Sequence, residues 1–325
     1  VISDLKSDIR ICFRSSATDF HRATVTSQGE WFMQKITPFL WFDNNAEEAV
    51  DFYTSIFKNS KIGQISRYGD AGPGPKGSVM VVAFQLDGQE FHALNGGPHY
   101  AFTPAVSFFV NCETRDEVDR LWGELSRNGT VLMELDGYPF SERYGWVADR
   151  FGLSWQVNLG RRSQKITPFL MFAGEQNGKA EKAMEFYSSI FNDSRVDSIQ
   201  RHGADAGDQA GTVLHAVFTL EGQEFMAIDG GFNHAFTFTP ATSFFVKCST
   251  QDEIDNLWEK LSDGGSDQQC GWLKDQFGVS WQIVPPVLVE MMQDNDPEKS
   301  KRVTEAMFTM KKLDIAALKH AFEGK

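Results

Sequence analysis

Basic charge is scarce in this chain. Lys and Arg number 31 against 44 Asp and Glu, a net charge of −13 at pH 7. Nucleic acid and anionic membrane surfaces are recognised by a basic field, so neither is an expected partner. Long apolar runs are missing too, since no stretch approaches the roughly 20 residues that span a bilayer. There are four cysteines and no CxxC, which removes zinc-knuckle and dithiol redox motifs. Reduced thiols and a cytoplasmic location are expected. Residues 1–33 have no secretory h-region and no apolar periodicity. They read as a disordered leader outside the core, with Met33 a candidate natural start. A glycine-rich turn between a strand and a helix, which lets a nucleotide approach the backbone, is also absent. Gly72-Pro-Gly-Pro-Lys-Gly77 falls between two strand patterns, and Asn95-Gly-Gly-Pro98 precedes another.

What the chain does have is an internal copy. Gln34-Lys-Ile-Thr-Pro-Phe-Leu40 returns unchanged at Gln164 to Leu170. Asp51-Phe-Tyr-Thr-Ser-Ile-Phe57 answers to Glu185-Phe-Tyr-Ser-Ser-Ile-Phe191, and Phe102-Thr-Pro-Ala-Val-Ser-Phe-Phe-Val110 to Phe238-Thr-Pro-Ala-Thr-Ser-Phe-Phe-Val246. Phe151-Gly-Leu-Ser-Trp-Gln156 answers to Phe277-Gly-Val-Ser-Trp-Gln282. A repeat this long exceeds any solenoid unit, so each copy can own a core. The expected domains are 34–157 and 164–284, joined by a linker at 158–163 and followed by a tail at 285–325.

Periodicity fills in each copy. Residues 36–42 alternate as a strand with two apolar faces. Ala49, Phe52, Tyr53, Ile56 and Phe57 form a helical stripe. Two strands then turn at Asp87-Gly88. The same grammar runs again from Ala105, where Thr114-Arg-Asp-Glu opens a helix as a capping box. Each repeat is therefore two β-α-β-β-β halves, an α+β design. The copies differ in one segment: Thr130 to Tyr144 is a long hairpin, shortened in copy two to Gly264 to Cys270. In the tail, Asp296-Pro297 starts a helix, and its stripe of Val303, Met307, Met310 and Leu313 is expected to pack as core or cap.

Paired β-α-β-β-β modules, the Asn-Ala-Glu-Glu-Ala-x-x-Phe-Tyr helix and the Phe-Gly-x-Ser-Trp-Gln terminus resemble the vicinal oxygen chelate superfamily of glyoxalases, bleomycin-resistance proteins and dioxygenases. Lys-Ile-Thr-Pro-Phe-Leu-Trp-Phe, Leu-Asn-Gly-Gly-Pro-His and Cys-Gly-Trp-Leu-Lys-Asp are similar to its PhnB-like group, labelled 3-demethylubiquinone-9 3-methyltransferase-like. The resemblance covers residues 34–284. It implies a glyoxalase-like fold in which modules curl around a pocket, with metal ligands at set strand positions. Those positions fall at Thr37, His92, Ala105 and Gln156, and at Thr167, Met226, Ala241 and Gln282. Divalent metals need several converging imidazole or carboxylate ligands, so no metal is expected. No cofactor is expected either.

By this register the pocket of copy one is lined by Thr37, Phe39, Trp41, Glu90, His92, Ser107, Phe109, Ser154 and Gln156. Copy two presents Thr167, Phe169, Met171, Glu224, Met226, Ser243, Phe245, Ser280 and Gln282. Apolar walls with a few aimed polar groups are how small-molecule sites are built; the alternative is that these side chains fill a closed interior. Burial would raise the pKa of Glu90 and suit it as a base, with His92 the second catalytic candidate. Arg67, matched by Arg201, is a candidate clamp for an acidic ligand group. Asp149 and Asp275 read as turn residues that bond nearby N–H groups. The expected function is metal-independent small-molecule binding, with copy one the main site under its own hairpin. The alternative is an enzyme on a small aromatic, quinone-like or oxygenated substrate, with Glu90 or His92 as base. The two domains are expected to pair within the chain.

Overall fold

The structure, a computed structural model, describes residues 34–69, 71–231 and 233–325. The expected leader at 1–33 lies outside the described residues. The first repeat runs β1 (Ile36–Phe42), α1 (Ala46–Ile56), β2 (Lys61–Arg67), β3 (Val79–Leu86) and β4 (Gln89–Asn95). It continues with β5 (Val106–Cys112), α2 (Arg115–Leu125), β6 (Thr130–Tyr138), β7 (Ser141–Ala148) and β8 (Ser154–Leu159). The second repeat follows the same order: β9 (Ile166–Phe172), α3 (Ala180–Ile190), β10 (Arg195–Arg201), β11 (Val213–Leu220) and β12 (Gln223–Asp229), then β13 (Thr242–Lys247), α4 (Gln251–Ser262), β14 (Ser266–Asp267), β15 (Trp272–Lys274) and β16 (Ser280–Val284). Three helices close the chain: α5 (Pro286–Met292), α6 (Pro297–Thr309) and α7 (Ile315–Glu323). The tail pattern predicts α6 from its Asp296-Pro297 start and misses α5. Among the described residues no helix is long and apolar enough to cross a membrane.

The strands form two eight-stranded sheets, and neither belongs to one repeat. The first sheet runs β14-β15-β16-β13-β1-β4-β3-β2, the second β10-β11-β12-β9-β5-β8-β7-β6. The joints are antiparallel: β1 pairs with β13, Thr37 facing Phe245, and β9 pairs with β5, Thr167 facing Phe109. A four-stranded module leaves its first strand with an unpaired edge, which a second module covers. Here each module takes its partner from the other repeat.

The helix-side cores are divided the opposite way. One apolar cluster gathers Leu40, Tyr53, Phe84, Phe108 and Trp155, almost entirely first-repeat residues. Its counterpart gathers Leu170, Tyr187, Phe218, Phe244 and Trp281 from the second. A buried carboxylate pins each. Asp149 accepts from Tyr53 Oη at 2.7 Å, Trp155 Nε1 at 2.9 Å and the Phe151 and Leu153 N–H groups. Asp275 does the same with Tyr187, Trp281, Phe277 and Val279. The expected turn role is present, and the Tyr and Trp bonds extend it. Each repeat thus owns a core, while each sheet is shared.

The identical heptapeptides serve that sharing. The Gln34 amide clamps the Glu90 backbone, accepting from its N–H at 2.9 Å, as Gln164 does for Glu224 at 2.9 Å. Lys35 ion-pairs with Glu253 and Lys165 with Glu117 at 2.9 Å, each reaching a helix of the other repeat. Ile36 and Ile166 are fully buried in the cores.

Candidate functional site

Alternation along β1 sends Ile36, Leu40 and Phe42 toward the helices and Thr37, Phe39 and Trp41 to the opposite face. The register then assembles that face across the first sheet. Trp272, Gln282, Phe245 and Thr37 lie in one row, and Ser280, Ser243, Phe39 and His92 in the next. The second sheet repeats this with Trp146, Gln156, Phe109 and Thr167, then Ser154, Ser107, Phe169 and Met226. The nine residues expected to line one copy-one pocket are therefore divided. Thr37, Phe39, Trp41, Glu90 and His92 face Ser243, Phe245, Ser280 and Gln282, whereas Ser107, Phe109, Ser154 and Gln156 face Thr167, Phe169, Met171, Glu224 and Met226.

On the first floor, Phe39 stacks on Phe245 with centroids 6.2 Å apart, and His92 stands edge-on to them at 5.7 and 5.3 Å. Trp272 stands edge-on to Phe39 at 5.8 Å and to Trp41 at 5.9 Å. Trp41 is seated by the glycine pair that precedes Pro98. Its Nε1 donates to the Gly97 carbonyl at 2.7 Å, and a Cβ on Gly96 would meet its ring at 2.2 Å. The glycines make room for an indole, which is the reason only glycine fits there. Trp41, His92, Leu94 and Trp272 are half-buried. Two hydroxyls of this floor, Thr37 Oγ1 and Ser280 Oγ, are fully buried and find no partner among the described residues. Gln282 Nε2 donates to Ser243 Oγ at 3.0 Å.

Glu90 stands at the rim. It pairs with Lys247 at 2.8 Å and lies 3.8 Å from His92 Nε2. Burial opposes its charge, but His92 and Lys247 outweigh burial and bring its pKa down to about 2. The expectation of a raised pKa is corrected: the carboxylate sits between two cation-forming groups and is a poor base.

The roof over this face is the tail. Leu288, Met291, Val303, Leu313 and Leu318 pack with Phe39 and Phe245, and Met292, Met307, Met310 and Phe322 join at the edges. Main-chain bonds fix it where copy two has lost its hairpin: Cys270 N–H donates to Met310 O at 2.8 Å and Gly271 N–H to Lys311 O at 2.7 Å. The expected packing role of the methionine stripe is thus specific to the first sheet.

The second floor is closed by the long hairpin. Leu132, Met133, Tyr138, Phe140 and Tyr144 pack with Phe109, Phe169, Met171 and Met226. Most of its polar groups are used internally, although Asn111 Nδ2, on the same face of β5, finds no partner among the described residues. Tyr144 Oη donates to Gln156 Oε1 at 2.8 Å, Gln156 Nε2 to Ser107 Oγ at 2.8 Å, and Trp146 Nε1 to Ser154 Oγ at 2.7 Å. Thr167 Oγ1 reaches Glu224 at 3.5 Å, and Glu224 is held by Arg162 at 3.1 Å. Burial, with Arg162 nearby, takes the His215 pKa down to about 3, so this imidazole stays neutral. The hairpin expected to close over Trp41 and His92 therefore covers the other sheet. Trp272 and α5 were missed by sequence reasoning. The available signal was a tail that occurs once, beside the copy whose hairpin is short.

Arg67 does not reach either floor. It is exposed at the end of an edge strand and donates to the Gly77 carbonyl at 3.0 Å. Arg201 is likewise exposed, paired with Glu181. Both anchor the surface, and the clamp role is withdrawn.

The fold implies a metal and the label a methyl-donor nucleotide, and the residues fit neither. The four ligand positions of the first sheet hold Thr37, His92, Ala241 and Gln282, while the second holds Thr167, Met226, Ala105 and Gln156. Among the described residues no three His, Cys, Asp or Glu side chains gather at one point. The glycine-rich segment at 72–77 joins β2 to β3, not a strand to a helix. The N-terminus of α3 is already occupied by the Asp229 carboxylate, which accepts from Gly178 N–H at 2.8 Å and Ala180 N–H at 3.1 Å. No anion is needed there.

Comparison with known proteins agrees with this architecture. The profile of the family described as 3-demethylubiquinone-9 3-methyltransferase matches residues 34–158 and again 164–284. A PhnB protein of Bacillus cereus, described by that same activity, is 47% identical over 39% of this chain and 100% of its own, with a TM-score of 0.37. Glyoxalase I of Zea mays covers 80% of this chain and 95% of its own at 11% identity and a TM-score of 0.51, a likeness of fold alone. An uncharacterized protein of Mycobacterium tuberculosis is 26% identical over 132 residues, 38% of this chain and 72% of its own.

Proposed function

The chain belongs to the 3-demethylubiquinone-9 3-methyltransferase family, carried twice on a glyoxalase-like fold, and from that premise we propose that it binds a small molecule without a metal, on the first sheet, beneath its own C-terminal helices. One observation carries this reading. The first floor holds two buried hydroxyls, Thr37 and Ser280, without partners among the described residues, beside half-buried Trp41, His92 and Trp272. An unpaired buried polar group costs roughly 1–3 kcal/mol, and a ligand oxygen or N–H at Thr37 removes that cost. The second floor has no such deficit at the matching Ser154, whose hydroxyl accepts from Trp146. Pairing of the two repeats inside one chain supplies both halves of each floor and takes the place of a second subunit. The unbonded thiols of Cys112, Cys248 and Cys270 support a reducing, cytoplasmic setting. The enzymatic reading rests on His92, with Glu90 as an orienting carboxylate. Mass spectrometry of small molecules retained through native purification tests the binding reading. A compound retained by the native chain and lost from Trp41→Ala supports it. Stoichiometric zinc, nickel, iron or manganese surviving dialysis would sink it.

A further inference from the structure

Trp272 and Trp146 hold the same register position, opposite Gln282 and Gln156. Their side chains do different things. Trp146 is fully buried and donates to Ser154. The Trp272 indole is half-buried, makes no hydrogen bond among the described residues, and lies edge-on to Phe39 and Trp41. Ser280, the counterpart of Ser154, is left without a partner among the described residues, one step away in register. The backbone at this point is held on both sides. Met310 and Lys311 fix Cys270 and Gly271, and Gln268 N–H donates to the Trp272 carbonyl at 2.9 Å. Only the side-chain torsions of Trp272 are free to change, and a staggered alternative is available to any tryptophan.

We infer that Trp272 is a gate: a flat, indole-sized aromatic ligand takes its place against Phe39 and Trp41 while the displaced indole swings to donate to Ser280, as Trp146 already does to Ser154. This rests on the first-sheet reading above and adds the ligand class. The slot that receives the ligand is the one an aromatic ring already fills, edge to face with two others. The hydrogen bond gained at Ser280 offsets the loss of the closed contacts. Because the closed state excludes the ligand, apparent affinity is reduced by the fraction of open molecules.

The test is calorimetric titration of 2-naphthol into the full chain and its variants. Trp41→Ala should weaken binding most. Trp272→Ala should tighten it about tenfold, since no ring has to leave, and Trp272→Phe, which keeps a smaller ring and protects the fold, should tighten it less. Ser280→Ala should weaken binding severalfold while leaving the melting temperature of the free protein unchanged or higher. If both Trp272 variants weaken binding or leave it unchanged, Trp272 is a wall and the gate is wrong, although the site stands. Ser280→Ala binding as tightly as the native chain also overturns the gate. If 2-naphthol gives no heat, or binds equally well to Trp41→Ala, the first-sheet site itself is wrong.

Discussion

The two sheet faces turned away from the helices carry nearly the same floor and end in opposite states. Phe39 stacks on Phe245 at 6.2 Å and Phe169 on Phe109 at 6.3 Å. The serine and glutamine rows correspond position by position. The second face is finished from within the repeat: the hairpin brings Tyr144 and Trp146, and these satisfy Gln156 and Ser154. On the first face Cys270 stands where Tyr144 would, Trp272 points elsewhere, and the apolar tail serves as roof. A hairpin that carries its own hydrogen-bond donors makes a sealed interior. A helical roof of leucine and methionine covers the Thr37 and Ser280 hydroxyls and leaves them without partners among the described residues. Under the proposed reading, the difference between filler and site lies in what covers the floor, more than in the floor.

Removing part of the roof should have the largest effect. Leu313 is fully buried, and Leu313→Ala should cost about 2–5 kcal/mol in denaturant unfolding. Hydrogen exchange should rise in β14–β16 and stay unchanged in β6–β8. Equal loosening of both regions would mean that the tail stabilises the molecule as a whole and is not a roof for one face.

The serine pair sharpens the comparison at a smaller scale. Ser154→Ala strands the buried Trp146 N–H and should cost about 1–3 kcal/mol. Thr37→Val removes a hydroxyl that has no partner to lose, so its midpoint should hold or rise. A comparable loss at both positions would show that the Thr37 hydroxyl is satisfied in solution and that the two floors do not differ. Ligand binding should follow the same division. Once a retained compound is identified, Trp41→Ala and His92→Ala should each weaken it by about tenfold, the scale of one aromatic contact with its burial. Met171→Ala and Met226→Ala should leave affinity nearly unchanged by calorimetry. Losses confined to the methionine variants would move the site to the second sheet.

Much of this was legible in the sequence, and the missing part has a definite cause. Repeat, modules and strand faces follow from periodicity, and the register assigns each floor residue to one of the two sheets. Sequence could not say which floor residues share a sheet. The strands competing to cover the edge of β1 read Val106-Ser-Phe-Phe-Val110 and Thr242-Ser-Phe-Phe-Val246, and both present the same alternation. Linker geometry and the cross-repeat pairs of Lys35 and Lys165 make the choice. Covering the first floor with the tail was illegible for a related reason. An amphipathic stripe states that a helix is buried, never against what. Glu90 was misjudged because its partner Lys247 comes from the other repeat, 157 residues away in sequence.

That cross-repeat pair yields the smallest and most specific expectation. Glu90 has its pKa lowered from 4.5 to about 2, and its side chain is 29% exposed. A carboxylate with a depressed folded pKa contributes stability that is complete above its unfolded value and is lost as pH falls through its folded one. The contribution of Glu90 is therefore present above pH 4.5 and fades toward pH 2. Asp275 works in the other direction. Burial raises its pKa from 3.8 to about 6 against its hydrogen bonds, so its contribution is present below 3.8 and is lost as pH rises through 6. Whole-protein stability mixes the two, but Asp275 is common to the native chain and to Glu90→Gln and cancels in their difference. The melting-temperature gap between those two proteins should be widest above pH 4.5 and should close steadily on acidification. Part of it should also vanish at high salt, because the pair is not fully desolvated. A gap that stays constant through the acid range would mean that Lys247 and His92 do not hold Glu90 in solution, and that the rim of the first floor is open to a ligand's own charge.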